Sequence, residues 1–350
     1  VTAPAVARPD VVRAVARGRR RRDSRRRAVI LTLAVLVVAG FVVTLMAGQT
    51  FYPLRDVVRV VLGEHVPGAS FTVGRLRLPR AVLAVIAGFS FGLSGVTFQT
   101  MLRNPLASPD IIGISWAASA AAAIAIVSLS LGGLQVSALA VVSTLAVALL
   151  VYTLAFRDGV VGTRLILIGI GIAAILESIT SYVLSRAAEW DLQEALRWLT
   201  GSLNGTTWEQ VVPVLVALAV FTPVLLSQAR DLSAMRFGDD TAAALGVRVE
   251  RTRITVIVAA VGLIAFATSA AGPIAFVAFL SGPIAARLVG TDGSMLVPAG
   301  LVGALLVLVA DFTGQFAFDL RYPVGVVTGV LGAPYLVYLI VRTHRAGGSL

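Results

Sequence analysis

The sequence predicts an all-α polytopic membrane protein of about ten transmembrane helices, with both termini cytoplasmic. Three observations carry that expectation. The 350-residue chain is 57% hydrophobic and 13% charged, with a mean hydropathy of +0.91; soluble domains carry about 25% charge. Its apolar residues fall in runs near the ~20 residues that one helical crossing needs. The arginines between the runs gather on alternate sides, as the excess of basic residues on cytoplasmic loops requires.

The runs are 28–47, 80–99, 111–130, 133–155, 164–184, 211–228, 254–271, 274–290, 297–316 and 323–341. Segments threaded to the inside hold Arg103, Arg157, Arg164, Arg230, Arg236, Arg248, Arg251, Arg253 and Arg287. The outer segment 185–210 is net acidic. One place breaks the rule: the first outer loop, 48–79, carries Arg55, Arg59, Arg75 and Arg77. An external basic cluster calls for a functional explanation.

Residues 1–27 read as a basic, mobile cytoplasmic arm with ten arginines between Arg8 and Arg27. The apolar run after it, Ala28–Ala47, exceeds the ~7–15 residues of a signal-peptide core and ends without an A-x-A site, so it reads as an uncleaved first span. The arm orients the chain, and near-surface arginines attract anionic lipid by about 1 kcal/mol each. No aromatic residues interleave these arginines, which argues against nucleic acid as a partner.

The second run is Gly- and Ala-rich, and starts from Arg75, Arg77 and Arg80. It ends in the polar turn Arg103-Asn104-Pro105-Leu106-Ala107-Ser108-Pro109-Asp110, in which Asn104, Pro105 and Pro109 are the structural residues. Gly88 and Gly92, with Gly95, and Gly325 with Gly329 form G-x-x-x-G faces. These let helix backbones approach closely in lipid, and bundle packing is favoured over a dimer seam. Pro213, Pro223, Pro273, Pro283 and Pro334 lie in or beside spans, and Ala271-Gly272-Pro273 makes the seventh and eighth spans look short or tilted.

Glu177 and Asp311 are the acids within spans, and an ionisable group at depth is a functional hypothesis by default. Glu177, with Ser181 at i+4, either lines a watery pathway or is protonated and packed. Asp311, near Thr313-Gly314-Gln315, reads as holding a helix end in place. The largest inner loop is 229–253. Asp239-Asp240-Thr241 starts a short helical run, 241–245, and Gly246 stops it; acids suit a helix start and glycine the position past its end. Such a loop is either a docking knob for a soluble partner or a solvated connector.

Several chemistries are excluded. There is no cysteine, and His65 and His344 lie near opposite ends. Every basic residue of the Lys+Arg 29 is arginine. A P-loop requires a lysine on the nucleotide phosphates, so any ATP must be bound by another polypeptide.

Taken together, these residues resemble the FecCD family of ABC importer permeases, which carry iron–siderophores, haem and vitamin B12. The resemblance spans about residues 48–341. It rests on Arg77-Leu78-Pro79-Arg80 with Gly88, Ser94-Gly95, Gln99, the 104–110 turn and Gly113; on Trp198, Gly201-Ser202-Leu203 and Trp208; and on Gly238-Asp239-Asp240 through Ala244-Leu245-Gly246-Val247. Gly272-Pro273-Ile274-Ala275-Phe276-Val277, Asp311, Pro323–Thr328 and Gly332-Ala333-Pro334 complete it in the family's order.

The resemblance implies a vitamin-B12-importer-permease-like bundle in the cytoplasmic membrane: arm 1–27, permease domain 28–341, tail 342–350. It implies a second permease subunit, the same or homologous. Two ABC ATPase subunits would bind ATP and Mg inside, and a substrate-binding protein would dock outside. The chain itself would hold no cofactor and catalyse nothing. Gly238, Asp239, Asp240, Ala244, Leu245 and Gly246 would couple to the ATPase. Arg77 and Arg80 would face outward to receive acids of the binding protein, with Arg321 compensating for Gln315, which stands where some members have arginine. Glu177, Ser181 and Gln99 are pathway candidates. An iron–siderophore is the expected cargo because Ala275 is closer to siderophore members; vitamin B12 and haem stay open. The chain departs from the pattern at Gly282–Ala286, where a polar side chain is missing, and at Trp116-Ala117. The competing class is a proton-coupled secondary transporter with Glu177 and Asp311 as relay groups; the inverted repeats typical of that class are not evident.

Overall fold

The structure, a computed structural model, describes residues 9–110, 112–155, 162–290 and 293–345. Arg8, Arg157 and tail residues 346–350 lie outside the described residues. Along the chain come α1 (Pro9–Met46), α2 (Leu54–Val61), a π-helical turn Ser70–Arg77 leading into α3 (Leu78–Met101), and α4 (Ile114–Ala123) with a π-helical end Ile124–Ser128. Then follow α5 (Leu134–Ala155), α6 (Gly162–Ser185), α7 (Glu189–Leu199), α8 (Trp208–Ser227), α9 (Ala229–Met235) and α10 (Asp239–Ala244). The last four are α11 (Val249–Ala271), α12 (Val277–Val289), α13 (Leu296–Phe316) and α14 (Val324–Arg345).

Seven helices are long and apolar enough to cross a membrane, and α4, α12 and α14 supply three shorter apolar helices. The ten match the ten apolar runs, with three differences. First, α1 begins at Pro9, so the basic arm from there on is helical and continuous with the first span; arginine and alanine are strong helix formers. Second, of the seventh and eighth spans α11 is a full 23 residues and α12 alone, at 13 residues, is short. Third, segment 48–79, read from sequence as a loop, contains α2 and the π-helical turn. Val57 and Val60 of α2 bury one apolar face in a small core with Leu45, Val73 and Ala81.

α3 is the centre of the bundle, with 83% of its span buried, followed by α11 at 72% and α13 at 61%. Close approach makes this possible. A Cβ on Gly88 would stand 2.5 Å from the Gly303 carbonyl oxygen, and one on Gly92 would stand 2.2 Å from that of Ala299. With lipid supplying no hydrophobic drive between helices, such backbone contact is the main source of packing attraction. The first G-x-x-x-G face is therefore spent inside the subunit. At the other extreme, α6 has only 11% of its span buried.

Candidate functional site

Three regions carry the polar groups that a simple bundle does not need. The first is a cavity of about 1070 Å³ between α4, α6, α14 and the break before α12. Its walls include Asp110, Trp116, Glu177, Ser181, Phe276 and Phe279. The break is built by Gly272, Pro273 and Phe276, the last with a left-handed φ of 65°, a strained setting for a bulky residue. Phe276 meets Phe279 edge-on at 6.5 Å. Asp110 ends the polar turn. Its carboxylate accepts hydrogen bonds from the Ser115 and Ser108 hydroxyls, and burial pushes its pKa up against those two bonds.

Glu177 and Ser181 face this cavity from α6, and both are exposed in the single subunit. Gln99, the third pathway candidate, is elsewhere. It is buried and donates to the Phe279 carbonyl at 2.9 Å. A Cβ on Gly282 would stand 1.9 Å from its amide oxygen. Gln99 therefore ties α3 to α12, and the absence of a side chain at Gly282 leaves room for it. It borders a separate cavity of about 300 Å³ with Asn104, Pro105 and Arg236. In the turn itself, the Asn104 side chain accepts from the Leu106 N–H at 2.8 Å.

The second region is α10. Asp239 opens the helix and accepts from Arg253 Nη2 at 2.6 Å; Arg103 of the turn lies 4.0 Å away. Arg253 is itself buried at the foot of α11 and lies 3.6 Å from Glu250, which accepts the Tyr152 hydroxyl at 2.7 Å. Ala242 is buried beneath the helix. The opposite side is bare: Phe237 is 76% and Leu245 67% exposed, and Asp240, Ala244 and Gly246 are exposed around them. The N-terminal helix reaches the same side of the molecule. Arg26 donates to the Ser294 carbonyl, and residues 293–296 adjoin α9 around Leu232 and Arg236.

The third region lies at the other end, where a cavity of about 620 Å³ gathers Arg75, Arg77, Arg80 and Arg321. The family resemblance turns Arg77 and Arg80 outward; in the structure their guanidiniums have internal partners. Arg77 donates to the carbonyls of Leu45 at 2.9 Å, Met46 at 3.0 Å and Thr50 at 2.7 Å, closing the end of α1. It also lies over the Tyr52 ring at 5.1 Å. Arg80 grips Asp311 with Nε at 3.0 Å and Nη2 at 2.7 Å, while Nη1 donates to Asn204 at 2.6 Å. Gln315 completes the set, donating to Asp311 at 2.7 Å. Both arginines thus satisfy backbone or carboxylate oxygens that would otherwise be unpaired. Arg55, Arg75 and Arg321 remain exposed.

Missed from sequence is the way three of the motifs interlock. Ser202 N–H donates to the Ala271 carbonyl at 2.8 Å and Gly325 N–H to that of Gly201 at 3.1 Å. Gly201 at φ 70° and Gly272 at φ 69° touch across this junction, where a Cβ on either would stand 2.4 Å from a carbonyl oxygen of the other segment. Glycine in three motifs of unknown relation was the available signal.

Seven helices long and apolar enough to cross a membrane, with three shorter apolar ones packed among them, describe a multi-pass membrane protein. The family model of the FecCD transport family matches residues 35–342, and the chain belongs to that family. It is 37% identical over 320 residues to the ferric enterobactin transport system permease protein FepG of Escherichia coli (strain K12), covering 90% of this chain and 96% of that one. It is 36% identical over 315 residues to the achromobactin transport system permease protein CbrC of Dickeya dadantii (strain 3937), covering 89% and 90%. Among solved structures, a metal-chelate type ABC transporter in an inward-facing conformation superposes with a TM-score of 0.81 at 26% identity, over 90% of this chain and 99% of that chain.

Proposed function

We propose that the chain is the permease subunit of an ATP-driven importer of ferric chelates of the siderophore class, and that it works by alternating access in a pair of permeases. The observation that carries this reading is the exposed polar face of α6. Glu177, Ser178, Ser181 and Tyr182 are exposed on a helix whose span is 11% buried. An ionisable group at that depth is expensive against hydrocarbon, so the face belongs against a second permease and a shared aqueous path. The cavity then opens onto that path.

The bare side of α10 is the surface for an ATPase subunit, which binds ATP and Mg. Asp239, held by Arg253, transmits its motion to α11. The basic end receives a substrate-binding protein through Arg55, Arg75 and Arg321, with Arg77 and Arg80 shaping the surface beneath. Charge complementarity there raises the association rate and fixes register. The arginine-rich start of α1 lies on the α10 side, where anionic headgroups meet it.

A proton relay finds little support, because Asp311 is engaged with Arg80 rather than placed with Glu177. The test is uptake of radioactive iron supplied as a ferric chelate, in cells with the proton gradient collapsed and ATP maintained. Continued uptake that depends on this chain agrees with the reading; loss of uptake on collapse refutes it.

A further inference from the structure

The structure assigns a charge preference to the cavity: we propose that it passes ferric chelates without net negative charge, of the tris-hydroxamate kind, and disfavours anionic ones. This rests on the importer reading above. Among the described residues lining the cavity, the ionisable groups are Asp110 and Glu177, and no arginine or histidine accompanies them. Glu177 is exposed to the space, whereas Asp110 already accepts two serine hydroxyls. Protonation of Asp110 would remove one negative charge and add no positive one. The remaining walls are apolar, aromatic or hydroxyl-bearing, and Trp116 lines the same space as the two carboxylates. An aromatic face beside a carboxylate suits a pendent cation.

The chemistry of the cargo makes the preference decisive. In a ferric tris-hydroxamate, three monoanionic groups neutralise the metal, and a pendent ammonium makes the complex cationic. A tris-catecholate of iron is a trianion. Across the shared path a like charge within reach of Glu177 is repelled, the more so where the cavity walls exclude water, and a pair of permeases presents the carboxylate twice. At about 1070 Å³ the cavity is also at the upper end of ordinary ligand pockets, a size suited to a bulky chelate.

The test uses cells that hold this chain with its own partner subunits and no other ferric-chelate permease. Radioactive iron is supplied as ferrioxamine B, a cationic tris-hydroxamate, or as ferric enterobactin, a tris-catecholate trianion. Glu177→Gln and Glu177→Arg are compared with the parent at equal membrane abundance. Because the binding protein is unchanged, a change in the uptake ratio belongs to the permease. The expected result is a ratio of ferrioxamine B to enterobactin uptake that falls by roughly tenfold or more from the parent to Glu177→Arg and by less in Glu177→Gln. A ratio unmoved by Glu177→Arg, or one that moves toward ferrioxamine B, overturns the charge preference while leaving the importer reading intact. If deleting the chain affects uptake of neither chelate nor of any other ferric chelate, the importer reading fails and the preference with it. A second measurement is independent of partners. In lipid nanodiscs, Trp116 emission, isolated by difference from Trp116→Phe, is quenched by ferrioxamine B at lower concentration than by ferric enterobactin; the reverse order refutes the proposal.

Discussion

Arg80 and Asp311, 231 residues apart in the chain, form a two-pronged ion pair at 2.7 and 3.0 Å in which the carboxylate is 2% exposed. Through Asn204 and Gln315 the pair joins α3, α13 and the segment between α7 and α8 into one unit. A carboxylate this buried is tolerable because every close partner donates to it.

Breaking the pair from one side is therefore expected to cost more than removing it. Arg80→Ala leaves a buried unpaired carboxylate and should destabilise by about 3–5 kcal/mol. Arg80→Leu combined with Asp311→Leu should cost markedly less. Thermal unfolding of the purified protein in detergent measures both; equal losses would show that the pair is not the source of the effect.

Gly92 faces the Ala299 carbonyl at a distance that no side chain can occupy. Gly92→Ala should push α3 off α13 and destabilise by about 1–3 kcal/mol. Gly329, whose added Cβ would meet nothing within 4 Å, provides the matched control, and Gly329→Ala should leave the unfolding temperature near that of the parent.

Asp239 is tied to Arg253 at 2.6 Å at the start of α10. Asp239→Asn keeps a helix-starting side chain but removes the charge, leaving buried Arg253 with Glu250 as its nearer acid. A hydrogen bond between charged groups contributes about 1.5–3 kcal/mol, so uptake should fall by roughly tenfold while the chain still reaches the membrane. Uptake equal to the parent would show that this pair plays no part in coupling.

Asp110 gives a pH signature. Its carboxyl pKa is raised by burial in the folded protein, so the folded state binds this proton more tightly than the unfolded chain. The associated stability is fully present below the ordinary carboxylate pKa and is lost as pH rises through the raised one. Asp110→Asn cannot ionise. Its unfolding temperature relative to the parent should increase from about pH 4 to about pH 8; a constant difference would contradict the assignment.

Much of this was legible in the sequence, and the rest for physical reasons was not. The apolar runs mark all ten membrane helices because length and hydropathy are local properties. The start of α10 is local too: acids at its first turn and glycine past its end. What stayed hidden depends on distant partners. Nothing near Arg80 names Asp311, and nothing near Arg77 names the end of α1. Gln99 reads as a polar residue in a span, yet its destination is a carbonyl on α12. The family resemblance made Arg77 and Arg80 look like outward docking groups, and the fold gives both of them structural bonds that the sequence did not reveal.

The central claim is that the bare side of α10 seats an ATPase, and one cross-linking measurement addresses it most directly. The chain has no cysteine, so Leu245→Cys introduces a single thiol at its exposed tip. Membranes from cells expressing this variant are treated with a short thiol-to-amine cross-linker, and the products are identified by mass. The account predicts a one-to-one adduct with a P-loop ATPase, absent when the thiol is placed instead at exposed Trp190 on the far side. No ATPase adduct from position 245, with the chain abundant and other thiol-reactive partners captured, would contradict it.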